Sequence, residues 1–471
     1  MRPKQDSQSR LEIPFSNLKV TNEYFAIYQE ISRVLDRNPE ILGLVHANLQ
    51  QGLDNINRGC RKGARAGFHY TSENVLRIIL SRKIEGASYR GIVVRIDDSK
   101  FLRQFTRIYE GPMMDFTTLN KLECAISPQT WEKINALLMK WAVEQEMTDG
   151  NSLRLDTTAV ETNIHYPTDS WLLWDLYRVL ARCIEQAREL DRDLVGTRRL
   201  QTKKVKKLQH KIARAAGKRK PVDVVKPLYE KLLALVDAIC DWSREVAAAL
   251  ALSLEQQRHG FWEAMAAETV LEDLSRFLTL APRVIDQAHR RVVLGEKVPN
   301  DDKLFSIFEE HTELLVRGKA GKNVEFGHMV LIGQVDNKLI SHYEIFDKKP
   351  VEHKLLTPAL KAHEKTFGAL PSRLAADKGF YENMNGVRDL EKKIPTVAIA
   401  KKGNRTEQET EREHSPEFRA GQRFRAGVEG TISFLKRALG MARILRKGWE
   451  HFLAEIGAAV FAHNLLILAR L

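Results

Sequence analysis

The sequence predicts an α/β fold: a mixed sheet with helices packed on it, preceded by a helical N-terminal region and interrupted after its first strand by a large all-helical insertion. Three observations predict it. Residues 152–160 alternate polar and apolar side chains with the period of a half-buried strand. Three more strand-like runs follow one another after Asp301. Between them, from about residue 170 to 291, apolar residues recur with a helical period.

The elements are justified in chain order. Residues 1–16 are polar and carry neither period, and from about 17 to 145 the pattern is helical. Thr71-Ser72-Glu73-Asn74 sets a hydroxyl cap before Val75, Leu76, Ile78, Ile79 and Leu80, a helix start. Gly86 breaks that helix and Ser88-Tyr89-Arg90-Gly91 restarts one, as in a helix-turn-helix. Lys100, Arg103, Gln104 and Arg107 beyond it either meet DNA phosphates or form a solvated face. Asp149-Gly150-Asn151 is a turn before the first strand. In the helical interruption, Leu228, Leu232, Leu235, Val236 and Ile239 form a packed stripe, and Pro221 and Pro227 flank a bend. Strands are then expected at 313–316, 324–332 and 339–345, a helix at about 352–367, short strands at 373–376 and 396–399, and helix from Pro416 onward. The expected domains are a helical DNA-binding region (1–145), a catalytic core in two pieces (150–169 and 300–445), the insertion (170–299) and a C-terminal helix (446–471), whose stripe Phe452, Ile456, Val460, Phe461, Leu465 and Leu468 reads as core.

Composition narrows the function classes. The chain has 471 residues, 43% of them hydrophobic and 29% charged, which excludes wholesale disorder. It has no run of about 18 apolar residues and no apolar stretch near its start, so neither a membrane span nor a secretory signal is expected. Cys60, Cys124, Cys183 and Cys240 are far apart with no CxxC pair, which points to a reduced, cytoplasmic setting rather than a zinc finger or a disulfide scaffold. The 74 Lys and Arg against 61 Asp and Glu leave a net charge of +13, which favours an anionic partner. Eleven basic residues fall between Gly196 and Pro221 without one acid: Arg198, Arg199, Lys203, Lys204, Lys206, Lys207, Lys211, Arg214, Lys218, Arg219 and Lys220. This run is expected to track DNA phosphates, Lys203, Lys204, Lys206 and Lys207 first among them.

Three acids stand out by position. Asp156 is placed at the end of the first strand, Asp377 at the end of the strand 373–376, and Glu429 near the start of a helix. Each alone is equally a cap or a surface ion pair; together, at converging strand ends, they make a hard-oxygen site suited to Mg²⁺ or Mn²⁺. Two such ions suit in-line phosphoryl transfer.

The segments Leu155-Asp156-Thr157-Thr158-Ala159-Val160-Glu161-Thr162-Asn163-Ile164-His165-Tyr166-Pro167-Thr168-Asp169, Ala376-Asp377-Lys378-Gly379-Phe380-Tyr381 and Arg425-Ala426-Gly427-Val428-Glu429 with Lys436 resemble those of bacterial insertion-sequence transposases of the DDE class, nearest to the ISNCY family. The resemblance runs from about residue 65 to 471, and Arg425, Glu429 and Lys436 fit the R-x3-E-x6-K pattern of these enzymes, which puts all three on nearly one helix face. It implies a ribonuclease-H-like catalytic core carrying Asp156, Asp377 and Glu429 on two Mg²⁺ or Mn²⁺ ions. It further implies cleavage at the terminal inverted repeats of its own element and joining of 3′ ends to target DNA. Double-stranded DNA is the implied partner, with at least a homodimer assembled on it, in the bacterial cytoplasm at the nucleoid and without a membrane. Arg425, Lys436, Lys319 and Lys322 are further expected DNA contacts. In related elements a tyrosine stands three residues before the Arg; here it is Gln422, with Phe424 the nearest aromatic. The alternatives are a structure-specific DNA nuclease and a domesticated DNA-binding regulator on the same fold. Asn163, His165 and Asp169 either shape the site or stabilise their loop, His311 lies near the second strand, and Trp171 and Trp174 either stack on a base or pack in the core.

Overall fold

The structure, a computed structural model, describes residues 18–57, 70–218, 221–257, 260–319 and 322–471; the side chains of 52–57 and 317–323 lie outside the described set. The fold is α/β, 64% helix with a mixed sheet of seven strands. The chain divides into two compact units, one of residues 1–163 with 317–471 and one of residues 164–316.

The first unit starts with α1 (Lys19–Arg37), α2 (Pro39–Asn57), α3 (Ser72–Ile84), α4 (Tyr89–Asp98), α5 (Lys100–Phe105), α6 (Phe116–Cys124) and α7 (Pro128–Glu144). Their starts follow the capping chemistry of the sequence. Thr71 accepts the backbone N–H of Asn74, whose side chain accepts that of Thr71, closing a capping box on α3. Ser88 caps α4 and Ser127 caps α7, which has Pro128 in its first turn. α3 is buried on every side, including Arg77, whose guanidinium is matched by Glu73 at 3.0 Å and Asp36 at 2.8 Å. The next turn of α3 adds Arg82 and Lys83, which meet Glu123 of α6 and Glu455 near the C-terminus in a buried ionic cluster completed by Arg446.

β1 (Ser152–Thr162) follows α7. The second unit then contributes α8 (Asp169–Leu190), α9 (Thr202–Gly217), α10 (Val222–Glu255) and α11 (Phe261–Ala288). Leu173, Leu176, Leu180 and Ile184 of α8, Leu232 and Val236 of α10, and Leu274 and Ala281 of α11 are fully buried together. At about 1.5–3 kcal/mol for each large aliphatic side chain, such burial is what holds a bundle of these helices. Pro221 is the N-cap of α10, while Pro227 lies inside it in the second turn and forfeits the i→i−4 bond to the Asp223 carbonyl.

The chain returns through β2 (Glu313–Lys319), β3 (Lys322–Gln334), β4 (Ile340–Ile345), α12 (Leu356–Phe367), β5 (Arg373–Ala376), α13 (Met384–Glu391), β6 (Thr396–Ile399), α14 (Glu407–His414), α15 (Pro416–Arg437), β7 (Arg443–Ile444) and α16 (Trp449–Leu468). The strand order is β2-β3-β1-β5-β6, with β4 also on β3 and β7 on β1. β3 runs antiparallel to β1 and β4, while β5 is parallel to β1 and β6 parallel to β5. α16 has the length and hydropathy of a membrane span, but 83% of that stretch is buried in the protein, where Phe452, Ile456, Val460, Phe461 and Leu465 form the core expected of them.

Candidate active site

β1 carries Leu153 and Leu155 into the core, so Arg154 and Asp156 take the other face of the pleat. Asp156 is not at the end of its strand, as the sequence suggested. The long β3 holds β1 in register on to Glu161↔Gly327. What ends is the parallel neighbour: β5 stops at Ala376, opposite Leu155. Asp156 and Asp377 are therefore each the next residue after a paired position on adjacent parallel strands, which lie about 4.8 Å apart. Asp377 also caps a 3-10 turn, Lys378–Phe380.

Glu429 lies mid-helix rather than near a helix start, because Ser415 caps α15 and Pro416 opens it well upstream. The helix is held against β1 by a polar bracket. Arg154 donates to Gln334 at 2.7 Å and to the Phe424 carbonyl at 2.6 Å, its guanidinium lies over the Phe424 ring, and Gln334 donates to Thr431 at 2.8 Å. A Cβ on Gly427 would come within 2.2 Å of the Arg154 guanidinium, so only glycine lets α15 approach this closely. Gln422, the departure from the related elements, donates to the Ala398 carbonyl at 2.7 Å and ties α15 to β6.

From this helix Arg425 reaches both acids, at 4.0 Å from Asp156 and 3.2 Å from Glu429. Glu429 is otherwise exposed. Asp156 is largely buried, and burial pushes its carboxyl up to about 6; the Thr157 N–H at 2.8 Å opposes this, Asp377 and Glu352 reinforce it, and Arg425 counters it. Glu352 went unnoticed in the sequence, where an acid ahead of a helix reads as a cap. It opens the 3-10 turn before α12 and accepts a hydrogen bond from the Thr157 hydroxyl. Among the described residues no cation pairs with Glu352 or Asp377, and no three His, Cys, Asp or Glu groups close on a common metal position as the side chains stand.

The other expected residues are spread out. On α9 the buried face is Val205, Gln209 and Ile212, and Lys203, Lys204, Lys206 and Lys207 are exposed. Lys203, Lys204, Lys207 and Lys211 with Lys231 of α10 line a groove of about 870 Å³ floored by Leu208, Ala234 and Leu235. Arg219 and Lys220 lie outside the described residues, as do the side chains of Lys319 and Lys322, whose backbones end β2 and begin β3. Lys436 is half-buried in the last turn of α15. Arg103 and Arg107 are not a free basic face. Arg103 bonds the Tyr109 and Gly111 carbonyls at 2.9 Å and pairs with Asp97, and Arg107 pairs with Asp36 at 2.7 Å and with Glu73.

The remaining polar residues serve their own units. Asn163 donates to the Leu445 carbonyl at 3.2 Å. Asp169 opens α8 and binds Arg291 at 2.8 Å and Gln287 at 2.9 Å. His165 bonds Asp175 at 2.8 Å, an interaction that raises its pKa. His311 bonds Glu309 at 2.9 Å. Trp174 is buried and stacked on Tyr177, which settles it as core, while Trp171 is half-buried beside His165. Comparison of the chain with protein-family models, curated proteins and solved structures gives no match.

Proposed function

We propose that the chain is a DDE-class transposase: a ribonuclease-H-like core with the 164–316 unit as a helical insertion, cutting the inverted-repeat ends of its element and joining 3′ ends to target DNA. The observation that carries this is the side-by-side emergence of Asp156 and Asp377 from adjacent parallel strands, with Arg425 of α15 bridging Asp156 to Glu429. The sheet supports it, with antiparallel strands on one side of β1 and parallel strands on the other.

The donor set fits a hard divalent cation: carboxylate oxygens alone, one of them buried, and a single guanidinium as counter-charge. Asp156, Asp377 and Glu429 would hold two Mg²⁺ or Mn²⁺ ions, which supply an activated water or 3′-hydroxyl and a stabilised leaving oxygen. The chain's own residues do the rest. Arg425, held between two acids, is freed when they are neutralised and can turn to a phosphate. Asp156 must give up its proton before it can act as a ligand, so cation binding there competes with the protonated form that burial favours. The lysines of α9 neutralise DNA phosphates and release their counterions. Two DNA ends must meet, so at least two protomers assemble on DNA.

The test is a labelled inverted-repeat end incubated with Mg²⁺ and target plasmid. Joined product from the wild-type protein, and neither cut nor joined product from Asp156→Asn, Asp377→Asn or Glu429→Gln, is expected. Cutting without joining would point to a nuclease, and full activity in all three variants would refute the site.

A further inference from the structure

Glu352 comes from a part of the chain remote from Asp156 and Asp377, the turn between β4 and α12. Its carboxylate nonetheless lies against residues next to both acids. One oxygen accepts the Thr157 hydroxyl, adjacent to Asp156. The other lies where a side chain on Gly379 would be: a Cβ built there would stand 1.7 Å from Glu352 Oε2 and 2.9 Å from its Cδ. Gly379 is two residues past Asp377, and its missing side chain leaves a cradle that the Glu352 carboxylate fills. The Thr157 hydroxyl donates to Glu352 Oε1, so this carboxylate is positioned by a donor next to Asp156.

No lysine, arginine or histidine among the described residues pairs with Glu352. A surface glutamate that merely braced a turn would be free to turn toward solvent, whereas this one is placed by the Thr157 hydroxyl on one oxygen and by the space at Gly379 on the other, with its charge felt at Asp156. Resting on the metal-dependent reading of Asp156 and Asp377, we infer that Glu352 is a fourth carboxylate of the divalent-cation site, donating an oxygen beside those two acids.

The experiment measures Mn²⁺ binding to the full-length protein without DNA, by the paramagnetic resonance signal of free Mn²⁺ at pH 8 and fixed ionic strength. Wild type, Glu352→Gln, Gly379→Ala and Asp156→Asn are compared, with a melting curve without metal to show that each is folded. Glu352→Gln preserves the shape and an acceptor for Thr157, and is expected to weaken the tightest Mn²⁺ binding at least tenfold. Gly379→Ala leaves every carboxylate in place but pushes Glu352 out of its cradle, and is expected to weaken binding similarly; it decides the matter should Glu352→Gln not fold. Retained binding within twofold in both variants, with loss in Asp156→Asn, would make Glu352 a brace on Thr157 and overturn the inference alone. Retained binding in Asp156→Asn would overturn the metal-site reading and the inference with it.

Discussion

Asp156→Asn should make the metal-free protein more stable at neutral pH while abolishing the DNA cleavage proposed for it. Asp156 is raised in the folded state from 3.8 to about 6, first by burial. A carboxyl raised on folding contributes stability that is fully present below about pH 4 and lost as pH rises through about 6. At about 1.4 kcal/mol per unit the full loss is about 3 kcal/mol, nearly all of it in place by pH 7. Asparagine keeps an acceptor for the Thr157 N–H without the charge, so the variant should gain about 2–3 kcal/mol at pH 8 and only about 0.5 kcal/mol at pH 4. Because the chain has two units, a single unfolding midpoint would mix them. Deuterium uptake in peptides spanning β1 isolates the sheet unit, and at pH 8 it should slow by about a hundredfold in the variant, after correction for intrinsic exchange. Mg²⁺ should then protect β1 in the wild type but not in the variant. A variant less stable than wild type at pH 8, or a difference that is the same at pH 4 and pH 8, would refute the argument that burial of the Asp156 charge outweighs Arg425 and the Thr157 N–H.

Three further outcomes are expected. Gly427→Ala should displace α15 from Arg154 and lower the stability of the sheet unit by about 1–3 kcal/mol, read by the same exchange measurement, with catalysis falling alongside. Replacing Lys203, Lys204, Lys207 and Lys211 by Ala should lower the slope of log affinity against log salt by about 0.9 for each phosphate no longer neutralised, measured by fluorescence anisotropy on duplex DNA; an unchanged slope would leave the groove a solvated face. Glu455→Gln should cost about 3–5 kcal/mol, seen as a lower melting temperature, because it strands Lys83 in the interior and leaves Arg82 and Arg446 to share Glu123; these cations hold the Glu455 carboxyl far below the usual carboxylate range, so its contribution is fully present above the usual carboxylate range and is lost progressively as pH falls below it.

What could be read from the sequence was what local pattern controls. The alternation Leu153, Arg154, Leu155, Asp156 marks a strand with an acid on its polar face, and the Gly after Asp377-Lys378 marks a tight turn at a strand end. Strand length was harder to read, because β1 continues past Asp156 on partners remote in sequence, the long antiparallel β3 and then the short β7. Glu352 and the Arg154–Gln334–Thr431 bracket were not legible at all. They depend on residues as many as 270 positions apart meeting, as Arg154 and Phe424 do, and locally each looks like an ordinary polar residue. Arg103 and Arg107 misled for the same reason: a basic residue in a helical pattern does not announce the carbonyls and carboxylates waiting for it elsewhere in the chain.

The buried cluster of Arg82, Lys83, Glu123, Arg446 and Glu455 also dictates an order of events during synthesis. The apolar core of the helical unit lies wholly within residues 172–307 and is complete once that stretch has left the ribosome. The core of the sheet unit draws on residues from Tyr28 to Leu468. Until Glu455 emerges, Lys83 lacks its carboxylate partner and Arg82 has Glu123 alone, so α3 cannot be buried without stranding charge. The nascent chain is therefore expected to carry a finished helical bundle, with its lysine groove already displayed, while the sheet whose sequence flanks it is still unfinished.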